Sequence, residues 1–262
     1  MMTFLLIALG VALVCSCMGF KRFVWFLSIG YALAVAGIGV FSLVYGGING
    51  MLTAGLIIGL IVLTLYGLRL AVFIFYRETK NAGYKKVLDK KVGKEPPVFV
   101  KVTVWILCGI LYVCQTAGLH FRMMNGKADD ACLYAGIAIM LIGAVIEALA
   151  DIQKTAQKKA HPDMVANEGL FKMCRCPNYF GEILVWTGVT VSGINSLANV
   201  WQWIAVIFGY VCIVYVMYDG AKRLEKGHES RYGTKPEYRA YADHTPILVP
   251  LIPWYHINKI EK

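Results

Sequence analysis

The stretch Met51-Leu-Thr-Ala-Gly55-Leu-Ile-Ile-Gly59-Leu-Ile-Val-Leu-Thr-Leu-Tyr66-Gly-Leu-Arg69-Leu-Ala-Val-Phe-Ile-Phe75 carries a single charge, Arg69. As a helix it rises about 37 Å, more than the ~30 Å of hydrocarbon in a bilayer. It has no polar face, so a helix lying on the surface of a soluble domain is excluded. Comparable runs at 2–20, 23–45, 97–118, 131–151, 181–195 and 199–218 predict an all-α, polytopic membrane protein with seven transmembrane helices. The run at 181–195 is short and contains Gly188 and Gly193, so a broken or partly inserted helix is expected there. Composition agrees with this reading: 58% of the residues are hydrophobic and 16% charged, against about a quarter charged in soluble domains. The first run lacks a basic n-region and a small-x-small cleavage site, so it is expected to be a helix and not a signal peptide.

The net charge of +10 is unevenly placed. Lys21 and Arg22 follow the first run, and Arg77, Lys80, Lys85, Lys86, Lys90, Lys91, Lys94 and Lys101 follow the third. Lys154, Lys158, Lys159, Lys172 and Arg175 follow the fifth, and the tail is basic too. The alternate connections at 46–50 and 195–199 have no cation, and 119–130 has only Arg122 and Lys127. Seven spans put every basic connection on one side, which is then cytoplasmic, with the amino terminus outside. A membrane surface accounts for the positive charge, so no nucleic-acid partner is expected.

Six of the eight cysteines lie in or beside apolar runs, where cysteine acts as a small hydrophobe. Cys174-x-Cys176 lacks a second ligand pair, so no metal site is expected. One domain is expected, with no repeat, no Rossmann fingerprint and no P-loop. Gly55-x-x-x-Gly59 predicts close helix packing.

Polar information is concentrated after residue 146. Glu147 and Asp151 share a helix face, and Lys154 and Lys158 continue it. Each carboxylate would cost about 3 kcal/mol at depth in lipid, so the reading is the polar wall of a site reaching into the bilayer. The alternative is a ladder of ion pairs where the helix leaves the membrane. In the second cluster Pro177 suits a helix start. Asn178 and Glu182 then fall one turn apart beside Tyr179, Gly181 leaves room for a close approach, and Arg175 is placed to meet an anion. Five polar types in eight residues point to a ligand. The third cluster runs from Glu225 through His228, Arg231, Tyr232 and Tyr238 to Tyr241, closing on Pro246-Ile-Leu-Val-Pro250. It reads as either a surface helix on the headgroups or a ligand lid.

The order Glu147…Asp151-x-Gln-Lys154, Gly169-Leu-Phe, Arg175-x-Pro177-Asn178-Tyr179-Phe-Gly-Glu182 and Tyr238-x-x-Tyr241 resembles the steroid 5-alpha-reductase family, its bacterial members especially. Tyr66-x-x-Arg69 resembles that family's substrate-pocket motif. The resemblance implies a seven-helix enzyme, in a bacterial inner membrane, that reduces the double bond of a lipophilic enone with NADPH. A 3-oxo-Δ4 steroid or bile acid is such an enone, and membrane lipids would surround the protein. By the same resemblance, residues 1–130 would form the lipid-substrate cavity and 131–262 the cofactor-binding half of one domain. Tyr66 would donate to the developing enolate oxygen, with Arg69 holding it. Glu147, Asp151, Lys154, Lys158, Arg175, Asn178, Tyr179, Glu182, Arg231 and Tyr241 would surround NADPH, the cations on phosphates and the carboxylates and Asn178 on amide or ribose groups.

Two departures stand out. Cys176 occupies the place where the family carries histidine, and no acid precedes Glu78, so the family's glutamate in the second helix has no counterpart. Membrane methyltransferases of the isoprenylcysteine and phospholipid type share Gly-Leu-Phe, an Arg-x-Pro-x-Tyr helix start and the Tyr-x-x-Tyr tail. They use S-adenosylmethionine and carry adjacent glutamates in the tail, whereas Glu225 and Glu229 are four apart here. A third reading is a small transporter or lipid-binding scaffold, which leaves the charge clustering unexplained. The oligomeric state is not legible.

Overall fold

A computed structural model describes residues 1–80 and 95–258. The helices are α1 (Met2–Ser16), α2 (Ile29–Ile48), α3 (Ala54–Lys80), α4 (Val98–Met124), α5 (Ala131–Ala160), α6 (Pro177–Gly193), α7 (Val200–Tyr232) and α8 (Pro236–His244). Short 3₁₀ turns lie between some of them, and there is no strand among the described residues. The cations Lys85, Lys86, Lys90, Lys91 and Lys94 fall outside the described residues.

The protein is thus all-helical and polytopic, with one correction. Six helical segments among the described residues, not seven, are long and apolar enough to cross a membrane. The expected span at 181–195 is part of α6, which has 17 residues and rises about 25 Å, short of the hydrocarbon thickness. The fifth and seventh runs also continue further than hydropathy predicts, α5 to Ala160 and α7 to Tyr232. Their polar ends stay helical because Ala, Gln, Glu, Lys and Arg are good helix formers even where the apolar stretch has finished.

The chain divides into two compact units. The first comprises Met1–Ile137 and Val189–Tyr210, the second Ala138–Gly188 and Val211–Lys262.

In the first unit, α2 and α3 cross at their glycines. A Cβ on Gly67 would stand 2.6 Å from the Ala36 nitrogen and 2.8 Å from the Ala32 oxygen, and one on Gly39 would stand 2.4 Å from Thr64 Oγ1. Between apolar helices in lipid, such close backbone approach supplies the packing attraction that water supplies elsewhere. Gly55 and Gly59 also face neighbours closely, against Leu133 and Leu119. Gly67→Ala is expected to force the crossing apart and to lower stability by about 1–3 kcal/mol, read as a lower unfolding temperature in detergent; an unchanged midpoint would mean that the crossing tolerates a side chain there.

Arg122, fully buried, is held by three acceptors: Ser192 O at 2.7 Å, Ala128 O at 2.7 Å and Asp130 Oδ1 at 2.8 Å. Asp129 takes the start of α3, accepting from Thr53 Oγ1 and from the Gly55 N–H at 2.8 Å. Burial alone would raise the Asp129 carboxyl; these hydrogen bonds and one from Tyr134 outweigh it and hold the group below its usual range. Arg122 and Asp129 are thus structural ties that close this end of the unit.

Candidate functional site

In the second unit α5 and α6 meet backbone to backbone. A Cβ on Gly143 would lie 2.6 Å from Gly181 O, and one on Gly181 would lie 2.7 Å from the Glu147 nitrogen. The room at Gly181 therefore admits α5, where the sequence suggested a ligand. This crossing sets Glu147 against the first turn of α6. Glu147, Asp151 and Glu182 are all buried, at 3%, 5% and 8% exposure, and each has partners within the fold. They face the protein interior and not acyl chains. Asn178 is half-buried, and its Oδ1 has no hydrogen-bond partner among the described residues. The Tyr179 ring lies over Gly220 of α7, where a Cβ would be 3.2 Å from Cε2.

The Gly-Leu-Phe turn is fixed by α5. Gly169 has φ +63, a left-handed conformation that glycine adopts without a side-chain penalty. Its missing Cβ also leaves room for Gln153, whose Oε1 would lie 2.5 Å from that atom and accepts from the Leu170 N–H at 2.9 Å. One turn on, Gln157 Oε1 accepts from the N–H groups of Asn167 and Glu168 at 2.9 and 3.0 Å. Lys158 Nζ donates to Pro162 O at 2.9 Å, to Met164 O and to Tyr232 Oη at 3.0 Å. Tyr241 completes the frame from α8, donating to Phe171 O at 2.7 Å. Burial pushes the Tyr241 hydroxyl pKa well up and that of Tyr238 to about 12, so both remain donors at neutral pH. Tyr238 itself is buried with Val165, Tyr232 and Ala242.

These ties surround a small, partly open cavity of about 30 Å³. Its polar wall is Lys154, Lys158, Arg175, His228 and Tyr241, and its apolar wall Val165, Ala166, Phe171 and Leu224. No acidic side chain lines it among the described residues. Four of the residues expected at a cofactor therefore converge here: Lys154, Lys158, Arg175 and Tyr241. Arg231 is exposed and, like Glu147, Asp151, Asn178, Tyr179 and Glu182, does not line the cavity. Lys158 contributes charge, while its donors are committed to the loop at 162–164 and to Tyr232.

Arg175 is 5% exposed. Its Nη2 donates to Glu225 Oε1 at 2.9 Å and to Tyr255 O, while its buried Nε has no partner among the described residues. A guanidinium with a donor to spare, beside two ammonium groups, suits a phosphate.

Glu225 and His228 belong to the third cluster but are not among the residues expected at the cofactor, and His256 lies outside every cluster. Leu224, Glu225 and His228 lie on one face of α7 at helical spacing, a signal visible once α7 is extended past residue 218. His256 lies across from Glu225 Oε1 at 3.2 Å and Asp243 Oδ1 at 3.0 Å, and nothing local in the sequence announces that pairing. Cys174 and Cys176 are buried, and burial pushes their thiol pKa values to about 12 and about 11. They are protonated, inert thiols at neutral pH.

Tyr66 and Arg69 belong to the first unit. Tyr66 is 3% exposed. Arg69 lines an open apolar groove along α3 with Leu65, Leu68, Val72, Phe73 and Tyr76, its guanidinium 5.5 Å from the centre of the Phe73 ring.

A family model described as a protein of unknown function (DUF1295) matches residues 19–245. The chain belongs to the DUF1295 family. An uncharacterized protein of Schizosaccharomyces pombe is 22% identical over 184 residues, 63% of this chain and 50% of that protein. The steroid 5-alpha-reductase DET2 of Gossypium hirsutum is 33% identical over 81 residues, 30% of this chain and 29% of that protein. The chain spans half or less of the length of these curated relatives. No solved structure matches. This DUF1295 member is therefore an integral membrane protein with partial similarity to a steroid 5-alpha-reductase.

Proposed function

We propose that this protein reduces the carbon–carbon double bond of a lipophilic enone, such as a 3-oxo-Δ4 steroid or bile acid, with NADPH. The observation that carries the reading is the cation-lined cavity of the second unit, where Arg175 keeps a buried donor for an anionic group. The partial likeness to DET2, whose name states a steroid 5-alpha-reductase, supports the reaction class.

In this reading Lys154, Lys158, Arg175 and His228 face the phosphates, with Tyr241 and Phe171 as walls. Glu147, Asp151 and Glu182, with the open acceptor of Asn178, bind hydroxyl and amide groups. When bound, NADPH would supply hydride to the β-carbon of the enone, and a proton from water would go to the α-carbon. Negative charge builds on the carbonyl oxygen, and the hydroxyl of Tyr66 is the donor that stabilises it, with Arg69 supporting. Removing a donor of this kind typically costs a factor of about 10²–10³ in turnover. Residues 1–130 hold the substrate and residues 131–262 the cofactor in this reading. By the positive-inside rule the basic connection after α5, with Lys154, Lys158 and Arg175, faces the cytoplasm from a bacterial inner membrane, and the amino terminus faces outward.

NADPH is expected to raise the unfolding temperature in detergent, and S-adenosylmethionine is expected not to; the reverse result would sink the reductase reading. Incubating candidate enones with deuteride-labelled NADPH should leave deuterium on one carbon of the product by mass spectrometry. Asp151→Ala and Glu182→Ala should each lower NADPH-dependent turnover by about tenfold or more, because each removes a charge-assisted hydrogen bond. Full activity in both variants would remove these residues from the site.

A further inference from the structure

The segment Tyr255–Asn258 folds back onto Glu225, a residue 2% exposed. Glu225 Oε2 accepts three hydrogen bonds from it: Ile257 N–H at 3.1 Å, Asn258 N–H at 2.8 Å and Asn258 Nδ2 at 2.8 Å. Asn258 Nδ2 also donates to Lys222 O at 2.9 Å, and Ile257 packs on the cluster of Cys176, Ala221, Ile247 and Leu248. Oε1 is left for Arg175 Nη2, shared with His256 Nδ1 at 3.2 Å, and Nη2 also donates to Tyr255 O of the same segment. Carboxylates and guanidiniums prefer a two-pronged pair through adjacent donors. Here the second prong is missing from both partners, because Oε2 is taken by the segment and Nε is left without a partner among the described residues.

We propose that the segment Tyr255–Asn258 is a strap that keeps Arg175 available to an anionic ligand by occupying Oε2 of Glu225. With the strap removed, Oε2 turns to Nε, the ion pair becomes two-pronged, and the guanidinium is silenced toward the cavity. Arg175 is the ligand's contact and Glu225 its competitor. Asn258 is a positioning residue that holds the competitor off. This proposal rests on the reading that the cavity takes a phosphate-bearing ligand.

The test compares the full chain, a chain ending at Pro253, and Asn258→Ala, each with and without Glu225→Gln. Binding of inorganic pyrophosphate and of NADPH is measured by calorimetry in detergent, with thermal unfolding run alongside. Truncation is expected to weaken both ligands by about tenfold, and Asn258→Ala by less. Glu225→Gln should restore most of the loss in each background, because a neutral amide does not compete as a carboxylate does. A strap with a merely structural role would show no such rescue. Unchanged affinity on truncation, or a loss that Glu225→Gln leaves in place, overturns the proposal. If truncation prevents folding, Asn258→Ala with and without Glu225→Gln decides the matter in the same way. A full chain that binds pyrophosphate in this strap-dependent way but does not bind NADPH upholds the strap and overturns the cofactor reading. One that binds NADPH without strap dependence does the reverse, and one that binds neither overturns both.

Discussion

If the cavity takes NADPH as proposed, Arg175→Met is expected to weaken its binding by about 2–5 kcal/mol, the usual loss when one partner of a buried charge pair is truncated. It should also destabilise the fold by about 3–5 kcal/mol, since Glu225 would remain buried without its cation. The two losses have different origins and can be separated. In the double variant Arg175→Met, Glu225→Gln the buried charge is gone, and the amide oxygen can still accept from the N–H groups of Ile257 and Asn258. Most of the stability should return, while binding should not. Thermal unfolding and calorimetry on the two variants read these separately. Recovery of binding together with stability would show that Arg175 supports the fold and touches no ligand.

The second large effect is expected at Tyr66. Tyr66→Phe keeps the ring in a position that is 3% exposed and removes only the hydroxyl, so the cost in packing is small. If that hydroxyl stabilises the developing charge, kcat falls by about 10²–10³ and the dissociation constant for NADPH stays level. A variant with normal turnover would move the role to another group. A variant with weaker NADPH binding and normal turnover would place Tyr66 at the cofactor.

The membrane fold was legible because hydropathy over twenty residues does not depend on tertiary context. Its one miscount came at α6, where a run with Gly188 and Gly193 is apolar but too short. In the site, Lys154, Arg175 and Tyr241 could be nominated from residue type and order. The reason for the order could not. Gln153 stands between Asp151 and Lys154, yet its contact with Gly169 depends on a left-handed turn sixteen positions along the chain. Gly181 showed that the backbone must be approached closely but not by what, and the answer is a helix. The strap was invisible, because 251–258 has no periodicity to read and its partners lie about thirty residues back in α7.

The crossing of α5 and α6 has a mechanical consequence. Two helices with main chains in contact at Gly143 and Gly181 can neither slide nor separate without losing that seam, so α5 carries Lys154 and Lys158 to the cavity on a fixed support. The turn at 169–172 and the tail at 255–258 hang from side-chain amides and carboxylates, bonds that water can replace one at a time. A ligand coming or going would swing that turn and that tail, and the seam would stay shut.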